Sequence, residues 1–398
     1  MKYMSRNKKI AIIAGIILAI ITIAIFAFQF QFSAPQKGAE EERIVVNLTT
    51  IEAELIPKLK EQGYIRNEWA FNFVLKRKGW QGKIEPGGYN VSKRMSAWQL
   101  ADTLVNHPYQ KWLVIPEGLR ATEIAEKLQD ILGWTNTEKA EFLLNSKEGY
   151  LFPDTYLLNL DYTGEDVAKR MESQFNEKTA DLSKEAKEKN IRNDTLIVLA
   201  SLVQREAANK QEMPLIAGVI WNRWLKDMKF EIDATIQYAL GEPGNWWPII
   251  KPDDYKFDSS YNTYLHKGRP PSPICNPGLV AIDAVINSEE SEYLYYLHDS
   301  AGQIHLAKTY KEHQANIEQY LLESTTGTIT DIALSAKVIT IRNQEEKEIG
   351  VAITEKTTLL DKDGKEIELK DFQLGENVTA AGRWTGEDTF IPSIVRKK

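Results

Sequence analysis

The sequence predicts an α+β chain: an N-terminal transmembrane helix, a small α+β module, a longer mixed α/β region and a small C-terminal all-β domain. Three observations carry this. Nineteen residues without a charge run from Ile10 to Phe28, about the length that crosses a bilayer as a helix. Three stretches between residues 44 and about 130 share one pattern, a short apolar run, a turn and an amphipathic helix. After Gly327 the texture changes to short alternating runs such as KVITIRN, GVAITEKTTLL and EIELKDF, which read as strands. With 398 residues, roughly 150 per domain allows two to three domains once a tail is removed.

Lys2, Arg6, Lys8 and Lys9 precede the apolar run, while Glu40, Glu41 and Glu42 follow it. The positive-inside bias then puts the N-terminus in the cytoplasm and the bulk of the chain outside. A cleaved signal peptide is the other reading, but the run is long and no clear A-x-A site follows. Residues 1–30 are thus expected to be cytoplasmic N-terminus and anchor, and 31–43 a polar tether. Charge sums to 49 Lys+Arg against 56 Asp+Glu, a net −7, which argues against a nucleic-acid surface. The single cysteine, Cys275, excludes an internal disulfide and reads as a buried small side chain.

The three repeating stretches are IVVNLTTIEAELIPKLKEQG, YNVSKRMSAWQLADTLVNHP and WLVIPEGLRATEIAEKLQD. Thr49-x-x-Glu52 and Ser96-x-x-Gln99 fit capping boxes, with turns expected at Pro86-Gly87-Gly88 and Glu117-Gly118. Residues 44–115 form the module, and 116–322 form the mixed region. The latter is broken near GYLFPDTY and through 241–278 by Gly, Pro and Trp, and loops that long are usually functional. Residues 328–398 are expected to be a small barrel or meander, with a hairpin turn at Asp363-Gly364.

In TLIVLASLVQREAAN, Leu196, Leu199, Leu202 and Val203 mark one helical face with Asn193 or Asp194 as candidate cap. Glu206 falls on that face and Arg205 points away from it. An acid facing inward loses hydration, which raises its pKa toward what a general acid needs; the other reading pairs it with a buried Arg such as Arg223. Asp233 is either a second acid of a glycosidase pair or a cap for a helix starting at Ala234. Trp246, Trp247, Tyr255, Tyr261, Asn262 and Tyr264, among Pro270, Pro271, Pro273 and Pro277, suit a carbohydrate cleft; a rigid loop with core aromatics is the alternative. His266, His298, His305 and His313 make no H-E-x-x-H pair, no Gly-rich phosphate loop is present, and neither metal nor cofactor is expected.

Seven ordered blocks, EPGGYNVS, VIPEGLRATEIAEKL, GYLFPDTY, LASLVQREA, IAGVIWNRWLKDMKFEIDATIQYALG, SSYNTYLHKGRPPSPICNPG and KTYKEH, resemble the MltG (YceG-like) family of endolytic murein transglycosylases over roughly residues 44–320. The resemblance implies a LysM-like module at 44–115 and a catalytic domain after it. The catalytic Glu of the family block S-I-V-E-K-E-T falls on Glu206. The block's first Glu is Gln204 here, the Thr or Ser after the catalytic Glu is Ala207, and the family's D-P-T carries Ala234 for Pro. Asn222, Arg223, Asp233, Thr235, Tyr238, Tyr261, Asn262, Thr263, Tyr264, Pro273, Asn276 and His313 fall on family motif positions as cleft or supporting residues.

By the same resemblance, the activity is lytic cleavage of the β-1,4 bond between N-acetylmuramic acid and N-acetylglucosamine in nascent glycan strands, giving 1,6-anhydro ends. Glu206 would serve as acid and then base. The implied partners are peptidoglycan strands, the cytoplasmic membrane and peptidoglycan synthases (penicillin-binding proteins), with the enzyme anchored by one pass. A hydrolytic muramidase using Glu206 with Asp233, and a noncatalytic peptidoglycan-binding scaffold, are the rival readings.

Overall fold

The computed structural model describes residues 6–299, 302–321, 323–385 and 389–398. They fall into two compact units, one of residues 1–205, 233–251 and 270–282, the other of 206–232, 252–269 and 283–398.

The first unit begins with α1 (Arg6–Gln31), followed by β1 (Glu42–Val46), α2 (Glu52–Glu61), α3 (Glu68–Lys78), β2 (Gly87–Val91), α4 (Ala97–Asn106) and β3 (Gln110–Val114). Ser96 and Gln99 form the expected capping box at α4. The box at Thr49 does not form: α2 starts at Glu52 behind an uncapped Ile51, and the Glu52 carboxylate accepts instead from the Ile84 amide at 3.3 Å. Gly87 and Gly88 are likewise strand, not turn. A Cβ at either would lie 2.6 Å or less from an oxygen of Gln110, so glycine lets β2 approach β3. Gly118, at φ +85°, does make its turn.

The stretch expected to be a polar tether is pinned in places. Phe32 is buried and its carbonyl accepts from the Ala97 amide at 2.9 Å, while the Gln36 amide donates to Lys93. Arg66 donates to the Ser33 hydroxyl at 3.1 Å and to the Ala34 and Pro35 carbonyls at 2.7 and 3.2 Å. A guanidinium fork converging on three successive oxygens removes the freedom that the polar composition implied.

The unit continues through α5 (Ala121–Leu132), α6 (Asn136–Asn145), β4 (Thr155–Asn159), α7 (Gly164–Lys178), α8 (Ala180–Glu188) and α9 (Asn193–Glu206). β4 completes an antiparallel sheet in the order β1-β2-β3-β4, with Gln110 opposite Asn159 and Val114 opposite Thr155. One core gathers Leu55, Leu59, Phe71, Leu75, Leu100 and Leu104; a second gathers Leu113, Ile124, Leu128, Phe142, Leu158 and Met171. Asn193 and Asp194 both lie within the first turn of α9.

The chain enters the second unit at Glu206 and forms α10 (Met213–Leu225). It then returns to the first unit for α11 (Asp233–Leu240) and the start of α12 (Leu279–Ile286). In the second unit, β5 (Tyr295–His298) pairs antiparallel with β6 (Ile304–Ala307), followed by α13 (Tyr310–Asn316). Six strands close the chain: β7 (Glu323–Ala333), β8 (Val338–Arg342), β9 (Glu348–Ala352), β10 (Thr358–Leu360), β11 (Asn377–Trp384) and β12 (Thr389–Lys397).

Residues 323–327, which lie between the two expected regions, are already strand in β7 and pair with β11. The order β10-β12-β11-β7-β8-β9 is closed by a parallel pairing of β12 with β9, which makes a barrel around Ile339, Ile341, Val351, Val378 and Phe390. Asp363 and Gly364 form a turn after β10, with Gly364 at φ +80° and the Asp361 amide donating to the Lys365 carbonyl at 2.9 Å.

Candidate active site

α9 is buried all round from Thr195 to Val203, so the apolar stripe is one side of a core helix rather than an amphipathic face. Half-buried Gln204, Arg205 and Glu206 end it. The Arg205 guanidinium lies 3.7 Å over the Trp247 ring. The Gln204 side chain accepts from the Gly278 amide at 3.0 Å, fixing the turn of SPICNPG.

In the second unit, the Tyr296 phenol donates to Oε2 of Glu206 at 2.6 Å. Burial, then the charge of Glu206, pushes the phenol's pKa well above its usual value, so Tyr296 stays a protonated donor. Two residues along β5, His298 contacts the Glu212 carboxylate at 2.9 Å; residues i and i+2 of a strand share a face. Glu212 is buried and also accepts from the Ala208 amide and the Asn209 side chain. One face of β5 therefore grips the segment 206–212 at both ends.

β5 is in turn held by α10. The Asn222 amide donates to the Ser291 and Tyr293 carbonyls at 2.8 and 3.0 Å. Buried Arg223 donates to the carbonyls of Leu294, Lys229 and Phe230 and to Glu231, with its guanidinium 5.0 Å over Tyr295. The His313 ring stacks on Tyr295, centroids 5.2 Å apart. Desolvation, then the charge of Arg223, lowers the His313 pKa, and its buried Nδ1 has no hydrogen-bond partner among the described residues. Asn222, Arg223 and His313 are thus supports of the strand that carries Tyr296.

Asn262 and Thr263 are also buried. The Asn262 amide donates to the Tyr255 and Phe257 carbonyls and its oxygen accepts from the Tyr264 amide, while the Thr263 hydroxyl accepts from the Ile232 amide at 3.0 Å. They shape the loop that presents half-buried Tyr261 and Tyr264, the latter edge-on to Tyr255 at 4.7 Å.

Asp233, Thr235, Tyr238 and Asn276 belong to the first unit. Asp233 is exposed and is itself the first residue of α11; Thr235 is buried. Arg120, which sequence reasoning missed, organises this part. Its guanidinium donates to the Trp246 and Tyr238 carbonyls at 2.8 Å each and lies 4.0, 5.1 and 5.4 Å from the rings of Tyr238, Trp246 and Trp247. The two indole N–H groups donate to Glu126 and Glu123. These bonds hold both half-buried tryptophans to α5.

Buried Asn276 donates to the Leu119 carbonyl and to Glu148, and accepts from the Leu151 amide. Glu148, also missed, accepts from the Ala121 amide, and burial raises its pKa to about 7 against the opposing pull of that hydrogen bond and of Arg120. It directly precedes the quoted GYLFPDTY block, and its position there was the available signal. Cys275 is fully buried, donates to the Ser201 carbonyl, and has its thiol pKa pushed up by that burial, which leaves it inert.

The profile of the YceG-like family matches residues 45–319. An endolytic murein transglycosylase of Bacillus subtilis (strain 168) is 31% identical over 292 residues, 66% of this chain and 80% of that protein. One of Streptococcus pneumoniae serotype 2 (strain D39) is 28% identical over 305 residues; the chain spans 55% of that relative's length. The crystal structure of a YceG-like protein from Listeria monocytogenes shares the fold, with a TM-score of 0.51 at 25% identity over 69% of this chain and 98% of the other. The C-terminal barrel lies beyond the family match.

Proposed function

The chain belongs to the YceG-like family, and on that premise we propose that it is a membrane-anchored endolytic murein transglycosylase with Glu206 as its acid and base. Protonated Glu206 gives its proton to the glycosidic oxygen as the bond from that oxygen to C1 of N-acetylmuramic acid breaks. The resulting carboxylate takes the proton of the same sugar's C6 hydroxyl, whose oxygen bonds to C1 and closes a 1,6-anhydro ring. No water is consumed and one carboxylate suffices.

The observation that carries this reading is the Tyr296–Glu206 hydrogen bond at the motif-matched end of α9. A phenol donating to one carboxylate oxygen fixes the plane of the group and stabilises the anion formed after the first proton transfer. Ala207 lacks the hydroxyl that the resembled family block carries after its catalytic Glu, and Tyr296 brings one from β5. Within the second unit, Tyr261 and Tyr264 keep enough exposed surface to meet sugar, whereas Asn222, Arg223, Asn262, Thr263 and His313 support the strand and the loop.

α1 is the anchor: it is apolar, long enough to cross a bilayer and bears the basic flank on its N-terminal side. The LysM-like module at 44–115 contacts glycan, residues 116–322 form the catalytic domain, and cutting close to the membrane shortens nascent strands beside penicillin-binding proteins. The test is mass spectrometry of uncrosslinked glycan strands digested by the full-length protein in detergent. Internal fragments with 1,6-anhydro ends are expected; reducing ends would make it a hydrolase working with Asp233.

A further inference from the structure

Where α1 meets the module, the structure leaves aromatic surface open. The large apolar side chains of α1 from Ile10 to Phe28 are exposed, so this helix needs a cover that the described residues do not supply. Its outer end runs directly into a cluster of rings. Phe28 lies 5.7 Å from Trp69 and 6.3 Å from Phe73; Phe32 lies 5.7 Å from both and stacks on Trp98 at 6.0 Å. Yet Trp69, Phe73 and Trp98 remain 45%, 43% and 36% exposed. A cleft of about 360 Å³ opens between Phe28, Gln29, Phe32, Ser33, Phe73 and Trp98.

We propose that this face of α3 and α4 is a seat in the interfacial zone of the phospholipid bilayer, so that the module rides on the membrane instead of hanging from a tether. The inference rests on α1 crossing the bilayer. Nineteen residues at about 1.5 Å of rise make roughly 28 Å, close to the hydrocarbon thickness of about 30 Å. Ile10 and Phe28 then mark its two edges, and the rings touching Phe28 and Phe32 fall at headgroup level.

Aromatic rings collect there, and an indole has an apolar body for the acyl region with an N–H for the wet side. The placement is rigid, since Arg66 caps the Phe30 ring at 4.1 Å while its donors hold the carbonyls of Ala34 and Pro35. Continuity with the apolar surface of α1 selects lipid over a protein as the occupant.

The experiment uses full-length protein in liposomes of phosphatidylcholine and phosphatidylglycerol, with or without acyl chains brominated near the headgroup. α1 contains no tryptophan, so any bromolipid quenching of indole emission reports the folded part. Quenching of the wild type is expected, with most of it lost in the Trp69→Phe, Trp98→Phe double variant, whose substitutions keep the aromatic packing. Quenching unchanged by the double substitution, or absent because a second copy covers the patch, overturns the seat. Alkaline extraction separates the two levels: protein that leaves the liposomes refutes the span and the seat together, whereas protein that stays but shows no quenching dependent on Trp69 and Trp98 refutes the seat alone.

Discussion

The hydroxyl of Tyr296 and Oε2 of Glu206 stand 2.6 Å apart although 90 residues separate them in the chain. A strand hydrogen bond fixes where the proposed acid points, and a hydrogen bond to a charged group is worth about 1.5–3 kcal/mol. Tyr296→Phe is therefore expected to lower kcat about tenfold to hundredfold with little change in KM. A defect confined to folding would lower the denaturation midpoint and the amount of active enzyme but not kcat per folded molecule, so active-site-normalised rates of glycan cleavage beside a denaturation curve decide between the two.

Asn222 serves the same geometry at one remove. Asn222→Ala leaves the Ser291 and Tyr293 carbonyls without their donor, and losing such partners costs about 1–3 kcal/mol. A lower denaturation midpoint with a parallel fall in kcat is expected. Asn222→Asp offers no donor to those carbonyls and should do no better than alanine.

Glu148 gives stability a pH dependence of definite sign. Its pKa is about 7 in the folded protein against 4.5 for the free group, so between those values the folded state holds a proton that the unfolded state has lost. Stability then falls as pH rises from 4.5 to 7, by on the order of 3 kcal/mol. Above about 7 the cost of the desolvated anion is fully present. Chemical denaturation at pH 5, 6, 7 and 8 should show this slope in the wild type and a flatter one in Glu148→Gln.

The helix that ends at Glu206 was legible from the spacing of Leu196, Leu199, Leu202 and Val203, and α9 is there. The four-residue face understated the burial of α9, since every residue from Thr195 to Val203 is buried; periodicity cannot separate one buried face from burial all round. The Ser96 box was readable because both partners lie within one turn. The Thr49 box failed because Glu52 finds its donor 32 residues away, at Ile84.

Tyr296 was invisible for a similar reason. In YLYYLH it is one aromatic among several in a strand, and only its contact with the end of α9 distinguishes it. The tether looked polar and loose because Arg66, which holds it, sits some thirty residues downstream.

The central claim rests on one carboxylate, and the most direct measurement compares wild type with Glu206→Gln on uncrosslinked glycan strands, counting internal anhydromuramoyl ends by mass spectrometry. Glutamine keeps the size of the side chain and an oxygen to accept from Tyr296, but it cannot shuttle the proton. Anhydro ends that accumulate with the wild type and vanish with a folded Glu206→Gln variant are the predicted result. Persistence of those ends in the variant would contradict the assignment of Glu206.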